Sequence, residues 1–387
     1  MSGGVDSAVA AARLVDAGHQ VTGVTFRLWD PPTPSGETSG ETSTGSLPDP
    51  AEDAQRVAEV LGIPHRIVDQ RERFAAEIVQ PFLAAYLAGQ TPSPCVYCNR
   101  LIKLHTLIQL ADELGAEAIA TGHYARVVRD ERGRPQLWRS RAGAKDQSYF
   151  LYRLVGEGLE RLVLPLGDLN KPSVRAEAEA RGLPVAGKQE SQELCFVADG
   201  DYVAFVERQA PERIQPGAIL DDQGHPIGEH GGIHRFTVGQ RRGLGVALGR
   251  PAFVTHIDGD RQTIALGTEQ DILAPGALLT DTVFADDVTF PLAAAVQVRS
   301  QHQATSAELE AVAKGVDSGV DSGVDSGDAP GGIVVRFGAP VRAISPGQAA
   351  VAYHGQRVLG GGRIARSLDE SAARAALSPD PETSDPE

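Results

Sequence analysis

Residues 2–28, SGGVDSAVAAARLVDAGHQVTGVTFRL, decide the fold. Ser2-Gly3-Gly4-Val5-Asp6-Ser7 is a tight turn that runs directly into an apolar helical pattern over 5–17, closed by Gly18, and a buried strand pattern follows over 21–28. Paired glycines let a backbone approach a phosphate closely. The start of a helix offers free N–H groups and the positive end of a dipole, and Ser2 and Ser7 add hydroxyls. The turn lacks the Gly-Lys-Ser/Thr ending of a Walker loop, so it does not by itself imply lysine-assisted γ-phosphate chemistry. The plain alternative is N-capping. Six residues of this kind ahead of an amphipathic helix and a strand favour nucleotide binding.

A phosphate loop is expected to follow a strand, and here only Met1 precedes it. The expectation is therefore a sheet whose first strand is missing because the start codon is placed too late, with weak stability and poor ATP binding as consequences. Downstream, helical patterns over 51–61, 71–88 and 99–114 alternate with strand patterns over 65–68 and 116–120, the layout of a doubly wound parallel α/β sheet. Helical patterns at 172–182 and 201–209 close this part. Residues 211–367 are dense in Gly and Pro and carry short β-type runs at 218–220, 233–238, 252–257, 263–266, 294–298, 333–337 and 349–353. The expected domains are an α/β domain over 1–204, a small β-rich domain over 205–275, a C-terminal β-barrel over 276–367 and an acidic tail over 368–387.

The 387 residues carry a formal charge of −15, which taken alone argues against a nucleic-acid partner. Twelve of those charges lie in residues 31–50, 315–328 and 368–387, which are poor in large apolar residues and are expected to be flexible. The rest of the chain is nearly neutral, and the chain as a whole uses 31 Arg against 5 Lys; Arg suits paired phosphate contacts. The GVDS repeat over 315–326 reads as an expanded hairpin loop. No apolar run reaches the roughly 18 residues of a membrane span, and residues 1–20 lack a signal-peptide pattern, so a cytoplasmic protein without a membrane partner is expected.

Three cysteines, an odd number, argue against a secreted disulfide framework. Cys95 and Cys98 lie in Thr91-Pro92-Ser93-Pro94-Cys95-Val96-Tyr97-Cys98-Asn99-Arg100, and Cys195 lies in Glu190-Ser191-Gln192-Glu193-Leu194-Cys195-Phe196. Cys98 is expected near a helix N-terminus, where the dipole favours thiolate and suits a nucleophile. Structural zinc is not expected, because no second pair completes four ligands.

The loop resembles the SGGxDS loop of the PP-loop ATP pyrophosphatases, which release pyrophosphate while adenylating a substrate oxygen. Seven blocks in order resemble the tRNA-specific 2-thiouridylases: this loop, TPSPCVYCN, Ala120-Thr121-Gly122-His123-Tyr124-Ala125, Lys145-Asp146-Gln147-Ser148-Tyr149-Phe150, ESQELCF, Gly239-Gln240-Arg241-Arg242-Gly243-Leu244 and Ser345-Pro346-Gly347-Gln348. The resemblance runs from residue 2 to about 366. It implies replacement of the C2 oxygen of the wobble uridine by sulfur, with ATP (and Mg2+) as cosubstrate and no resident metal.

By that resemblance Ser2, Gly3, Gly4, Val5, Asp6 and Ser7 bind the phosphates, with Phe26 and Gly122 beside the adenosine. Cys195 carries sulfur as a persulfide and Cys98 is the nucleophile, the two forming a transient disulfide. Ser93, Pro94 and Cys95 face the target base; His123, Lys145, Asp146, Gln147, Ser300, Gln301 and Gln348 contact the tRNA. Arg299-Ser300-Gln301 stands where relatives tend to Arg-Tyr-Arg, which loses a stacking aromatic. The implied partners are tRNAs of the Lys, Glu and Gln type and a sulfur donor such as a cysteine desulfurase or relay protein. Three thiols could also hold an iron–sulfur cluster, a secondary alternative. The competing readings are another PP-loop adenylating ligase or amidating enzyme, which would need neither Cys98 nor Cys195, and a tRNA-binding protein with an impaired ATP site.

Overall fold

The computed structural model describes residues 1–30, 50–156, 158–188, 194–197, 200–312 and 332–371. The acidic stretches expected to be flexible lie outside these residues, apart from Pro50 and the start of the tail, as do Glu190 to Glu193 of the third cysteine motif. The chain divides into two compact units. The first comprises Met1–Pro81, Pro94–Tyr202 and Gln356–Val358; the second comprises Phe82–Ser93, Val203–Gly355 and Leu359–Glu387.

In the first unit, helix Val5–Asp16 buries Val5, Ala8, Val9 and Ala12. Alanines at helical spacing allow close approach, and this face packs with Val57, Val174 and Ala178 of helices Pro50–Leu61 and Lys171–Ala180. The strands are parallel, as expected, but short and paired in twos: Gly23–Arg27 with His65–Asp69, and Ile119–Ala120 with Leu162–Val163. Met1 lies along the first pair. Its amino group donates to the Val24 carbonyl, its carbonyl accepts from Thr25 Oγ1 at 2.7 Å, and burial lowers the pKa of the amine to about 5. A hairpin of Ala125–Arg129 and Pro135–Arg139, which the sequence reading did not anticipate, adds antiparallel pairing, with Arg357 opposite Trp138.

Two segments read as plain helices carry wide turns. Residues 71–88 include a π-helical stretch at Ala75–Val79. The helix expected from 99 instead begins at Pro94, with α-helix Pro94–Tyr97 followed by π-helix Cys98–Leu104 and α-helix His105–Leu114. Apolar periodicity marks a helical face but does not reveal where the hydrogen-bond ladder slips by one residue.

The second unit holds two β structures. Strands Pro226–His230, Gly217–Leu220, Thr263–Gly267 and Phe253–Asp258 form a four-stranded sheet over Ile219, Val254 and Ile264. Residues 233–238, expected as a strand, instead contain the 3-10 turn Ile233–Arg235. Leu273–Phe284, Gly332–Arg342, Thr305–Val312, Leu292–Gln297, Ala349–His354 and Arg357–Leu368 follow one another around a six-stranded barrel, closed where Leu273–Phe284 pairs with Arg357–Leu368. Registers Ala277↔Val335, Leu279↔Ile333 and Leu309↔Val335 turn these apolar side chains into one interior.

Candidate active site

The loop ahead of helix Val5–Asp16 is shaped by its glycines and tied by its serines. Gly3 has φ +66°, and a Cβ there would fall 2.4 Å from the Pro50 carbonyl oxygen. Gly4 caps the helix in extended backbone. Ser2 N donates to Ser7 Oγ at 3.0 Å, the two hydroxyls lie 3.2 Å apart, and Ser7 Oγ donates to the Gly4 carbonyl at 3.1 Å. A glycine-shaped loop at a helix start has the geometry to accept an anion such as a phosphate. Gly122 backs onto it: a Cβ there would lie 2.7 Å from Ser7 N and 2.8 Å from the Asp6 carbonyl carbon. Phe26, half-buried on strand Gly23–Arg27, is held in register with Val68.

Two lysines that the sequence reading passed over support the loop. Lys171, the first residue of its helix, donates to both Asp6 carboxylate oxygens at 2.7 and 2.9 Å, and Tyr124 Oη donates to Asp6 Oδ1 at 2.7 Å. Lys188 donates to the Gly3 carbonyl at 3.0 Å and to Asp53 Oδ2 at 2.5 Å. Burial works to raise the Asp53 pKa, but Lys188 and Arg56 outweigh it and hold this carboxyl below the usual range. The available signal was the scarcity of lysine: four of the five lie in described residues, and three of these, Lys103, Lys171 and Lys188, serve the loop or the thiols.

Cys95 sits on helix Pro94–Tyr97 and Cys98 opens the π-helical stretch, with Val96 and Ile102 anchoring the segment in the core. Cys195 is fixed by its neighbour Phe196, whose ring packs edge-on against Phe74 at 5.6 Å and Trp29 at 6.5 Å. All three thiols are free; Cys98 is buried, Cys95 intermediate and Cys195 exposed. They feel one another electrostatically: Cys98 responds to Cys195 and Cys95, and Cys195 responds to Cys95.

The expected dipole-stabilised thiolate at Cys98 is not what the structure shows. Because the helix starts at Pro94, Cys98 is one turn in, and desolvation pushes its thiol up to about 12 against the opposing pull of Lys103. Burial also raises the Cys95 thiol. Cys195 keeps solvent-accessible surface, yet enough protein surrounds its sulfur to raise it as well. Among the described residues, no group of three or more His, Cys, Asp or Glu is arranged to hold a metal ion.

His123 connects the two halves of the site. It follows Gly122, its Nδ1 lies 2.8 Å from Thr121 Oγ1, and desolvation, reinforced by Lys103, lowers its pKa to about 3 although part of its surface stays accessible. The imidazole is neutral at physiological pH. Lys103 thus acts on His123 beside the loop and on all three thiols.

Other expected contacts are placed differently. The Asp146 carboxylate accepts from Arg139 Nη1, Ser140 N, Ser148 N and Ser148 Oγ at 2.9–3.2 Å, so it shapes a turn while Lys145 beside it is exposed. Gln147 clasps Tyr124, accepting its N–H at 2.9 Å on Oε1 and donating its own N–H to the Tyr124 carbonyl at 2.8 Å. Pro94 opens the helix that carries Cys95 in the first unit, whereas Ser93, Ser300, Gln301 and Gln348 belong to the second unit. There Ser300 and Gln301 are exposed, and the turn that ends at Gln348 holds the approach to Ser93, with Thr91 N donating to the Pro346 carbonyl at 2.8 Å.

Comparison with known proteins agrees with this layout. Residues 1–199 match the tRNA methyl transferase HUP domain, 203–268 the tRNA methyl transferase PRC-barrel domain and 278–364 the aminomethyltransferase beta-barrel domain. The chain is 52% identical over 373 residues to the tRNA-specific 2-thiouridylase MnmA of Sorangium cellulosum, covering 96% of this chain and 93% of that protein. Relatives of the same name from Chloroflexus aggregans and Heliobacterium modesticaldum are 44% and 42% identical, each over 95% of this chain and over 97% and 92% of their own lengths. NMN synthetase from Francisella tularensis, a solved structure, covers 55% of this chain and 83% of its own at 17% identity with a TM-score of 0.27, too distant to inform either fold or function. With this likeness along nearly its whole length, the chain belongs to the tRNA-specific 2-thiouridylase family.

Proposed function

We propose that the protein replaces the C2 oxygen of the wobble uridine of tRNA by sulfur, using ATP to adenylate that oxygen and a cysteine persulfide to deliver the sulfur. The observation that carries this reading is the connection from loop to thiols: Gly122 against Ser7, His123 beside it, and Lys103 acting on His123, Cys95, Cys98 and Cys195. An amidating ligase needs the first half of that connection but not the second.

A urea-type carbonyl has a poor leaving oxygen, so adenylation with release of pyrophosphate comes first. Ser2, Gly3, Gly4, Val5, Asp6 and Ser7 hold the phosphates, and Phe26 and Gly122 flank the adenosine. Mg2+ arrives with ATP as its counter-ion. Cys195 then carries the persulfide. In one route its terminal sulfur attacks C2, AMP departs, and Cys98 attacks Cys195 Sγ, releasing the thiolated uridine. In the other, Cys98 attacks Cys195 Sγ first, hydrosulfide leaves, and it displaces AMP at C2. Both end in a Cys98–Cys195 disulfide, which a dithiol reductant reopens with two electrons.

The α/β domain over 1–204 performs this chemistry, and the β-rich domains over 205–275 and 276–367 grip the tRNA backbone. The contacts assigned to the tRNA are Ser93, Pro94 and Cys95 at the base, with His123, Lys145, Asp146, Gln147, Ser300, Gln301 and Gln348 around it. Substrates are tRNAs of the Lys, Glu and Gln type, and sulfur comes from a cysteine desulfurase or relay protein in the cytoplasm. No helix among the described residues is long and apolar enough to cross a membrane. Nucleoside mass spectrometry of tRNA from cells lacking the gene tests the reading: wobble 2-thiouridine derivatives should disappear, and their persistence overturns it.

A further inference from the structure

Lys103 stands apart from the other lysines of the site. Lys171 and Lys188 are each neutralised by a carboxylate, Asp6 and Asp53, whereas Lys103 donates to the neutral side-chain amide of Asn99 at 3.0 Å and has no carboxylate partner among the described residues. Asn99 is buried, and its own Nδ2 donates to the Phe150 carbonyl at 3.1 Å, which fixes the amide with its oxygen toward the ammonium.

The backbone brings Lys103 round. In an α-helix, residues five apart differ by about 140° in direction, which would turn Lys103 away from Cys98. The stretch Cys98–Leu104 is π-helical, and its i→i+5 closure carries residue 103 back toward the face of residue 98. Such a wide turn costs hydrogen-bond geometry and is characteristic of functional positions.

We propose that Lys103 is a positioning residue for the sulfur chemistry: held by Asn99 on the wide turn, its ammonium supplies the positive charge shared by the sulfurs of Cys95, Cys98 and Cys195 whenever one of them is anionic. This deepens the thiolation reading and rests on it. Each thiol is penalised by desolvation, and Lys103 opposes that penalty at all three, joined at Cys195 by a backbone hydrogen bond. Of the other charged groups around the turn, Arg100 lies on the turn itself but is not among the influences on the three thiols, and those next to it are paired or uncharged. Arg153 lies over the Tyr97 ring at 5.0 Å, Arg71 pairs with Asp69 and Asp30, Arg73 pairs with Glu77, and His123 is neutral.

The test is the pH profile of iodoacetamide alkylation at Cys98 and Cys195, followed by peptide mass spectrometry on the whole protein without ATP or tRNA. Lys103→Gln, which keeps a donor for Asn99, should slow alkylation of both thiols by about tenfold at a given pH, the low end of the effect of an adjacent charge. Lys103→Arg should restore it. Lys103→Met serves if the glutamine variant does not fold. Profiles that superimpose on the wild type overturn the proposal and leave the thiolation reading intact. Failure of the wild type to thiolate tRNA overturns that reading whatever the profiles show.

Discussion

Gly122 and Ser7 touch through their backbones: a Cβ on Gly122 would lie 2.7 Å from the Ser7 amide nitrogen and 2.8 Å from the Asp6 carbonyl carbon. Neither atom can rotate aside, so Gly122→Ala must push the Ala120 to Ala125 segment off the loop or distort the loop itself. We expect tRNA-dependent pyrophosphate release to fall at least about tenfold, the scale of a small misplacement at a reacting centre, while tRNA affinity changes little. An alanine variant with wild-type pyrophosphate release would show that this contact does not matter to catalysis.

The Asp6 carboxylate joins elements far apart in sequence, and its two partners should be separable. Lys171 is the buried cation, so Lys171→Met leaves Asp6 uncompensated. Asp6 is about one-third exposed at its side chain, so the cost should be on the order of 2 kcal/mol, below the range for fully buried pairs. Tyr124→Phe removes a single hydrogen bond to a charged group and should cost about 1.5 kcal/mol. Urea denaturation should rank the lysine change above the tyrosine change; the reverse order would mean that Tyr124 rather than Lys171 organises the loop.

How these parts could be read from sequence follows from their range. The loop, the helix behind it and three of the six barrel strands, at 294–298, 333–337 and 349–353, are local patterns visible in spacing, whereas Leu273–Phe284, Thr305–Val312 and Arg357–Leu368 were not marked. Lys171 and Lys188 were not visible, because a lysine partnered across 165 or 185 residues leaves no local trace, and Lys103, bonded to Asn99 only four residues away, was hidden because the wide turn that carries it has no sequence signature. The thiolate expected at Cys98 failed for a related reason. Helix starts are read from caps, but Pro94 begins this one a turn early, and the desolvation that dominates Cys98 comes from packing partners distant in sequence. Of the two-residue strands, Ile119–Ala120 falls within the run expected at 116–120, whereas Leu162–Val163 is too short to show a period.

His123 should leave a mark on acid stability. Its folded pKa, about 3, lies below the ordinary value of 6.5, so the unfolded chain takes up the proton first as pH falls. Stability present in full above pH 6.5 is then lost between 6.5 and about 3. The slope is bounded by about 1.4 kcal/mol per pH unit and reduced by the solvent that still reaches the side chain. His65, His230, His234 and His302 are lowered too, so the quantity to measure is the difference between the wild type and His123→Gln. Urea unfolding across this range should give a shallower acid limb for the variant. Parallel limbs would mean that His123 is not held neutral by its surroundings.

Gly347 offers the last test, in the second unit. Its φ is +89°, and a Cβ there would meet Gln90 Cβ at 3.0 Å and the Thr91 backbone at 3.1 Å. Gly355 has a similar backbone, φ +58°, but open space around it. Alanine at either site incurs the left-handed penalty of about 1 kcal/mol; only at Gly347 must it also displace the Gln90–Thr91 strip, which Thr91 N anchors to the Pro346 carbonyl. Gly347→Ala should therefore be the more destabilising in urea by about 1 kcal/mol, the low end of an overpacking cost. It should also raise KM for tRNA more than it lowers kcat, because residues 90–91 lead into Ser93. Equal losses at the two glycines would assign the whole effect to backbone strain and remove the strip from any role in presenting Ser93.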